Sequence, residues 1–145
     1  MKSFTDISQS IKLQSILPIE SADNHYVRRL TDFDGKSVER EWSEPKYGNP
    51  NSKYANYIIQ NFESYERLPC WSLSALLSVL PFHLVVDNQR YAFSMIKGLD
   101  KNGETYAIKY AIFNTTIYFH LTDFYNNPVD SCYEMILKLH EQNLL

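Results

Sequence analysis

Glycine is scarce in this chain: four in 145 residues, at positions 35, 48, 98 and 103. None lies in a G-x-G-x-x-G or G-x-x-x-x-G-K arrangement, which argues against the common Gly-rich phosphate cradles. Cysteine is scarcer still, with Cys70 and Cys132 alone. There is no C-x-x-C and no Cys/His cluster, so both thiols read as buried packing groups in a reducing compartment. Lys and Arg form no run beyond the pair Arg28-Arg29, and the formal net charge is −3. A protein that neutralises many phosphates needs a basic face. Nucleic acid is therefore not an expected partner, and only a basic patch assembled by the fold is left open. No stretch approaches the ~20 apolar residues of a membrane span. The start, MKSFTDISQS, is polar and lacks an apolar signal region. No membrane partner and a cytoplasmic location are expected.

What is present is a soluble composition with many rings. Hydrophobic residues make up 44% and charged residues 21%, and there are eleven Tyr and eight Phe. That length buries a core without metals or disulfides, and is the size of one ordinary domain. Tyrosine is amphipathic and suits half-buried sheet faces and contact surfaces.

The last third is the most strongly patterned. Residues 82–121 alternate apolar and polar positions, interrupted by Asp87-Asn88, Asn102-Gly103 and Asn114-Thr115. These are turn residues, so the stretch predicts an antiparallel meander. In its third strand Tyr106, Ile108, Tyr110 and Ile112 should face the core; in the fourth, Ile117, Phe119 and Leu121 should. From Pro128 the period becomes helical. Asn127 is the expected cap, Pro128 suits the first turn, and Val129, Cys132, Tyr133, Ile136 and Leu139 form a stripe. This closing helix should cover the Tyr106 to Ile112 face.

The earlier part is less regular. Residues 4–17 predict a helix capped by Ser3 or Asp6, with Ile7, Ile11, Ile16 and Leu17 near one face. Residues 25–30 and 37–42 read as two strands around Asp34-Gly35. Residues 43–53, SEPKYGNPNSK, read as an exposed loop. Residues 54–66 suit either period, with the helical spacing of Tyr54, Tyr57, Ile58, Phe62 and Tyr65 preferred. Residues 72–80 predict a helix capped by Ser72, stapled by Trp71 and Leu76 and stopped by Pro81. The fold class is α+β: a single domain over residues 1–145, with an antiparallel meander of four to six strands packed by an N-terminal, a central and a C-terminal helix.

Few residues suggest chemistry. Tyr118, His120 and Asp123 gather a phenol, an imidazole and a carboxylate near one sheet end, enough for acid–base work in a pocket. A solvated strand end running into a turn accounts for them equally, and no Ser or Cys nucleophile accompanies them. His140-Glu141 resembles part of a zincin helix, yet position 144 is Leu where the second His is required. His25 and His83 have no partner at ligand spacing, so neither metal nor cofactor is expected. Tyr47, Tyr54, Tyr57 and Tyr65 are the candidates for an aromatic contact surface, although half of them as core residues would be unremarkable.

Three stretches carry a resemblance: FTDISQSIKLQSILPIESAD at residues 4–23, LPCWSLSALLSVLP at 68–81, and NPVDSCYEMILKLHEQNLL at 127–145. Together they cover a little over a third of the chain and leave out residues 24–67. They resemble small uncharacterised proteins of gut Bacteroidales genomes, often found in prophages and other mobile elements. The resemblance implies an accessory protein acting inside a bacterial cell and carries over no catalytic residue. Two classes of function follow. One is a non-catalytic interaction protein whose partner is a bacterial or phage protein, or a second copy in a homodimer, with inhibition of a host defence system as a variant. The other is a small-molecule binder or enzyme using a pocket near Tyr118, His120 and Asp123.

Overall fold

Residues 1–31, 34–37, 40–51 and 65–145 are described by the structure, a computed structural model. Helices and antiparallel sheets coexist in the chain, so the fold class is α+β. Contacts divide it into two compact units, Phe4–Ala75 and Leu76–Leu145, the latter joined by Met1–Ser3.

The first unit holds α1 (Ile7–Leu13), β1 (Asn24–Arg29), β2 (Lys46–Tyr47) and β3 (Tyr65–Cys70). Asp6, not Ser3, caps α1. Its carboxylate accepts the Gln9 N–H at 2.9 Å, and the Gln9 side chain accepts the Asp6 N–H in return. The buried stripe differs from the expected one: Ser10 and Leu13 are fully buried while Ile11 is 50% exposed. The reason is polar. The Thr5 and Ser10 hydroxyls hydrogen-bond each other at 2.8 Å in the core, turning that side of the short helix inward.

β1 is the middle strand of the three-stranded sheet, order β2-β1-β3. Asn24 to Arg29 pair with Cys70 to Tyr65 in antiparallel register. On one face Tyr26, Leu68 and Cys70 form a cluster, with Phe4, Ile7 and Trp42 packed against it. The turn at Asp34-Gly35 is present, since Thr31 and Ser37 form an antiparallel bridge around it. The expected second strand does not continue: residues 40–42 carry no strand, and 38–39 lie outside the described residues. Within the expected loop 43–53, the described residues 43–51 hold more structure than the composition suggests. They contribute β2, and Asn49 donates to the Ile19 and Ala22 carbonyls at 2.7 and 2.8 Å. Residues 54–64 lie outside the described residues; Tyr65, given to the helix by its spacing, begins strand β3 instead.

Helix α2 (Leu73–Val79) carries the chain into the second unit. Ser72 caps it, accepting the Ala75 N–H at 3.2 Å while Asp23 holds the Ser72 N–H and hydroxyl. The meander follows as β4 (His83–Val86), β5 (Gln89–Asp100), β6 (Gly103–Ala111) and β7 (Tyr118–Leu121) in that spatial order. Asp87 and Asn88 both take positive φ, as a two-residue hairpin turn demands. The alternation holds less strictly than expected. Thr105, Ala107 and Ala111 of β6 are buried along with Ile108 and Tyr110, and Ile117 is 58% exposed. A register shift at Tyr110/Ala111 breaks the two-residue period beside β7, and the Phe124 ring lies beside Gly98. Helix α3 (Pro128–Glu141) closes the unit, packed on β6. Asn127 caps it through the Asp130 N–H at 2.9 Å, and Lys2 pairs with Asp130 at 2.7 Å. The Ser131 hydroxyl donates to the Tyr106 carbonyl at 2.6 Å.

Candidate functional site: a basic cleft beside strand β1

The positions singled out for acid–base chemistry bond to other groups. His120 Nε2 lies 2.8 Å from the Gln142 side-chain oxygen, and its ring packs edge-on to Phe119. Tyr118 is 56% exposed. Asp123 uses its backbone N–H to bond Glu134. Among the described residues, the side chains of Tyr118, His120 and Asp123 share no hydrogen bond. Burial pushes the Cys132 thiol up to about 12 and raises that of Cys70, so neither is a ready nucleophile. Among the described residues, no three His, Cys, Asp or Glu gather where they could hold a metal ion. No helix is long and apolar enough to cross a membrane, among the described residues.

The first unit contains a different feature. A cleft of about 500 Å³ opens beside β1. Its walls carry four cations, Arg28, Arg29, Arg40 and Lys46, against the single carboxylate of Glu41. Val27 and the rings of Tyr47 and Tyr65 supply apolar surface, and the aliphatic stems of the arginines add more.

Each wall follows from local structure. Strand β1 delivers His25, Val27 and Arg29 at alternate positions, hence on one side of the sheet. Tyr65 is the cross-strand partner of Arg29, and Lys46 that of His25. The chain from 40 to 47 runs back along β1. Val27 and Ser43 exchange two hydrogen bonds, Ser43 N–H to the Val27 carbonyl at 2.8 Å and Val27 N–H to the Ser43 hydroxyl at 3.1 Å. One residue on, the Arg28 guanidinium sits 4.6 Å over the Trp42 ring and bonds Glu66. Stacking and pairing hold Arg28 in place.

His25 is 4% exposed yet lines the cleft. Its Nδ1 lies 2.7 Å from the Gly48 carbonyl. A carbonyl only accepts, so Nδ1 carries the proton of this hydrogen bond. Gly48 can present that carbonyl because it takes φ +102°, a conformation suited to glycine.

Of the four tyrosines proposed as a contact surface, the structure places Tyr47 and Tyr65 on this cleft. Tyr54 and Tyr57 lie outside the described residues. The sequence reading missed Arg40, Lys46 and His25. The pair Arg28-Arg29 was the one visible signal, and it gains its meaning from the antiparallel return of residues 40–47. Neither a protein-family model, nor a curated protein, nor a solved structure matches the chain.

Proposed function

We propose that this is a non-catalytic interaction protein that docks an acidic segment of a partner protein in the cleft beside β1. The carrying observation is the charge of the walls: with Arg28 paired to Glu66, Arg29, Arg40 and Lys46 still face the single cleft carboxylate of Glu41, in a chain whose net charge is −3. Local charge opposite to the overall charge selects for anionic ligands and steers them to one place. The exposed ring of Tyr47 and the half-buried ring of Tyr65 supply area at low entropic cost, as contact residues do.

The setting belongs to the same proposal. The resemblance of residues 4–23, 68–81 and 127–145 to Bacteroidales proteins of prophages and mobile elements supports an accessory role inside a bacterial cell. Two free, buried cysteines are compatible with a reducing cytoplasm.

The test is fluorescence anisotropy with labelled oligoglutamate and oligolysine peptides. Oligoglutamate should bind and oligolysine should not. Arg40→Glu should weaken the oligoglutamate complex about five- to tenfold, the size of a lost surface pair plus new repulsion. Equal binding of the two peptides, or no effect of Arg40→Glu, would remove the cleft as the docking site.

A further inference from the structure

Resting on that reading, we infer the register of the ligand: an extended segment with two carboxylates four residues apart and an apolar side chain midway between them. The argument is one of spacing along β1.

The cleft has two cationic poles. At one, Lys46 stands opposite His25, with Tyr47 beside it. At the other, Arg29 stands opposite Tyr65. Ser43 bonds Val27 and Trp42 lies under Arg28, so the returning chain runs antiparallel to β1 and brings Glu41 and then Arg40 to the Arg29 pole, where two cations outweigh one carboxylate. Among the described residues, the Lys46 and Arg40 side chains make no hydrogen bond or ion pair, so each pole has a charge to offer. Val27 lies halfway between them.

His25 and Arg29 are four positions apart, and a strand rises about 3.3 Å per residue, so the poles are separated by about 13 Å. An extended ligand has the same rise. Its carboxylates at i and i+4 match that distance and project to the same side as residue i+2, which then meets Val27. Carboxylates at i and i+2 reach about 7 Å and engage one pole only. On a helix, i and i+4 are about 6 Å apart, again too close. A mononucleotide concentrates its charge at one end and would leave the other pole unused.

The experiment compares peptides on the full chain by anisotropy. One has the core E-A-L-A-E, one A-E-L-E-A, and both have the same composition. The E-A-L-A-E peptide should bind about tenfold more tightly. Lys46→Glu, at an exposed position, should weaken it about tenfold and restore binding to one of K-A-L-A-E and E-A-L-A-K, which also fixes the ligand's direction. Circular dichroism of the variant checks that the fold is kept. Equal binding of E-A-L-A-E and A-E-L-E-A would overturn the register while leaving the acidic partner standing. Failure of both, together with oligoglutamate, would remove the acidic-partner reading itself. Binding of ATP or inorganic phosphate without any peptide would overturn the peptide inference in favour of a small anion.

Discussion

At the scale of single residues, the core of this protein is unusually polar in one place. Thr5 is fully buried and serves four neighbours: Ser10, Tyr26, Cys70 and Trp71. Buried hydroxyls are tolerated because each finds a partner. The thiols are simpler. Burial pushes Cys132 from 9.0 up to about 12. In the unfolded chain it ionises near its ordinary value and in the folded protein near 12. Its contribution to stability is therefore fully present below about pH 9 and is lost as pH rises toward 12. Cys132→Val keeps the packing and removes the titration. The fall in unfolding free energy with pH, measured by urea melts between about pH 9 and 11, should become shallower by up to about 1.4 kcal/mol per pH unit. An unchanged slope would mean that the thiol ionises alike in both states. Residue identity alone made both cysteines legible as packing groups. It could not reveal His25 as a cleft residue, because that role depends on a carbonyl 23 positions away.

At the scale of elements, legibility followed turn chemistry. The meander was readable because Asp87-Asn88, Asn102-Gly103 and Asn114-Thr115 mark its corners, and α3 because Asn127 and Pro128 mark its start. The three-stranded sheet was not. β2 has two residues, and β3 reads YERLPC, with charges and a proline where a strand signal is sought. Both are strands because β1 lies between them. The alternation of β6 failed as a guide to burial because a register shift at Tyr110/Ala111 interrupts its two-residue period beside β7. Gly98 marks a close approach on the neighbouring strand. A Cβ there would lie 2.9 Å from the Thr105 hydroxyl oxygen and 3.4 Å from the Phe124 ring. Gly98→Ala should cost about 1–3 kcal/mol of stability through overpacking, and adding Thr105→Ala should recover part of it. Thermal melts of the single and double variants decide this, and a neutral Gly98→Ala would show that Thr105 has room to turn aside.

At the scale of the molecule, the sign of the net charge is a poor guide to what is bound. The chain is acidic at −3, while the cleft gathers four of its fourteen Lys and Arg around one Glu. That assembly was not legible in the sequence: its cations come from positions 28, 29, 40 and 46, which the fold alone brings together. Affinity of the cleft for oligoglutamate should fall as sodium chloride rises from about 0.02 to 0.5 M, because the Debye length shrinks from beyond 20 Å to below 5 Å. Titrations at stepped salt measure it. Salt-independent binding would assign the complex to Val27 and the tyrosine rings instead.

One pair of hydrogen bonds sets a timetable. The Thr5 N–H is held by the Trp71 carbonyl, and the Trp71 N–H by the Thr5 hydroxyl, across 66 residues. A ribosome adds roughly 5–20 residues per second, so the N-terminal segment waits roughly 3–13 s for its partner to be made. Strand β1 is synthesised early, yet β3 arrives together with Trp71. During translation, the N-terminal segment therefore stays without this partner until Trp71 has been added.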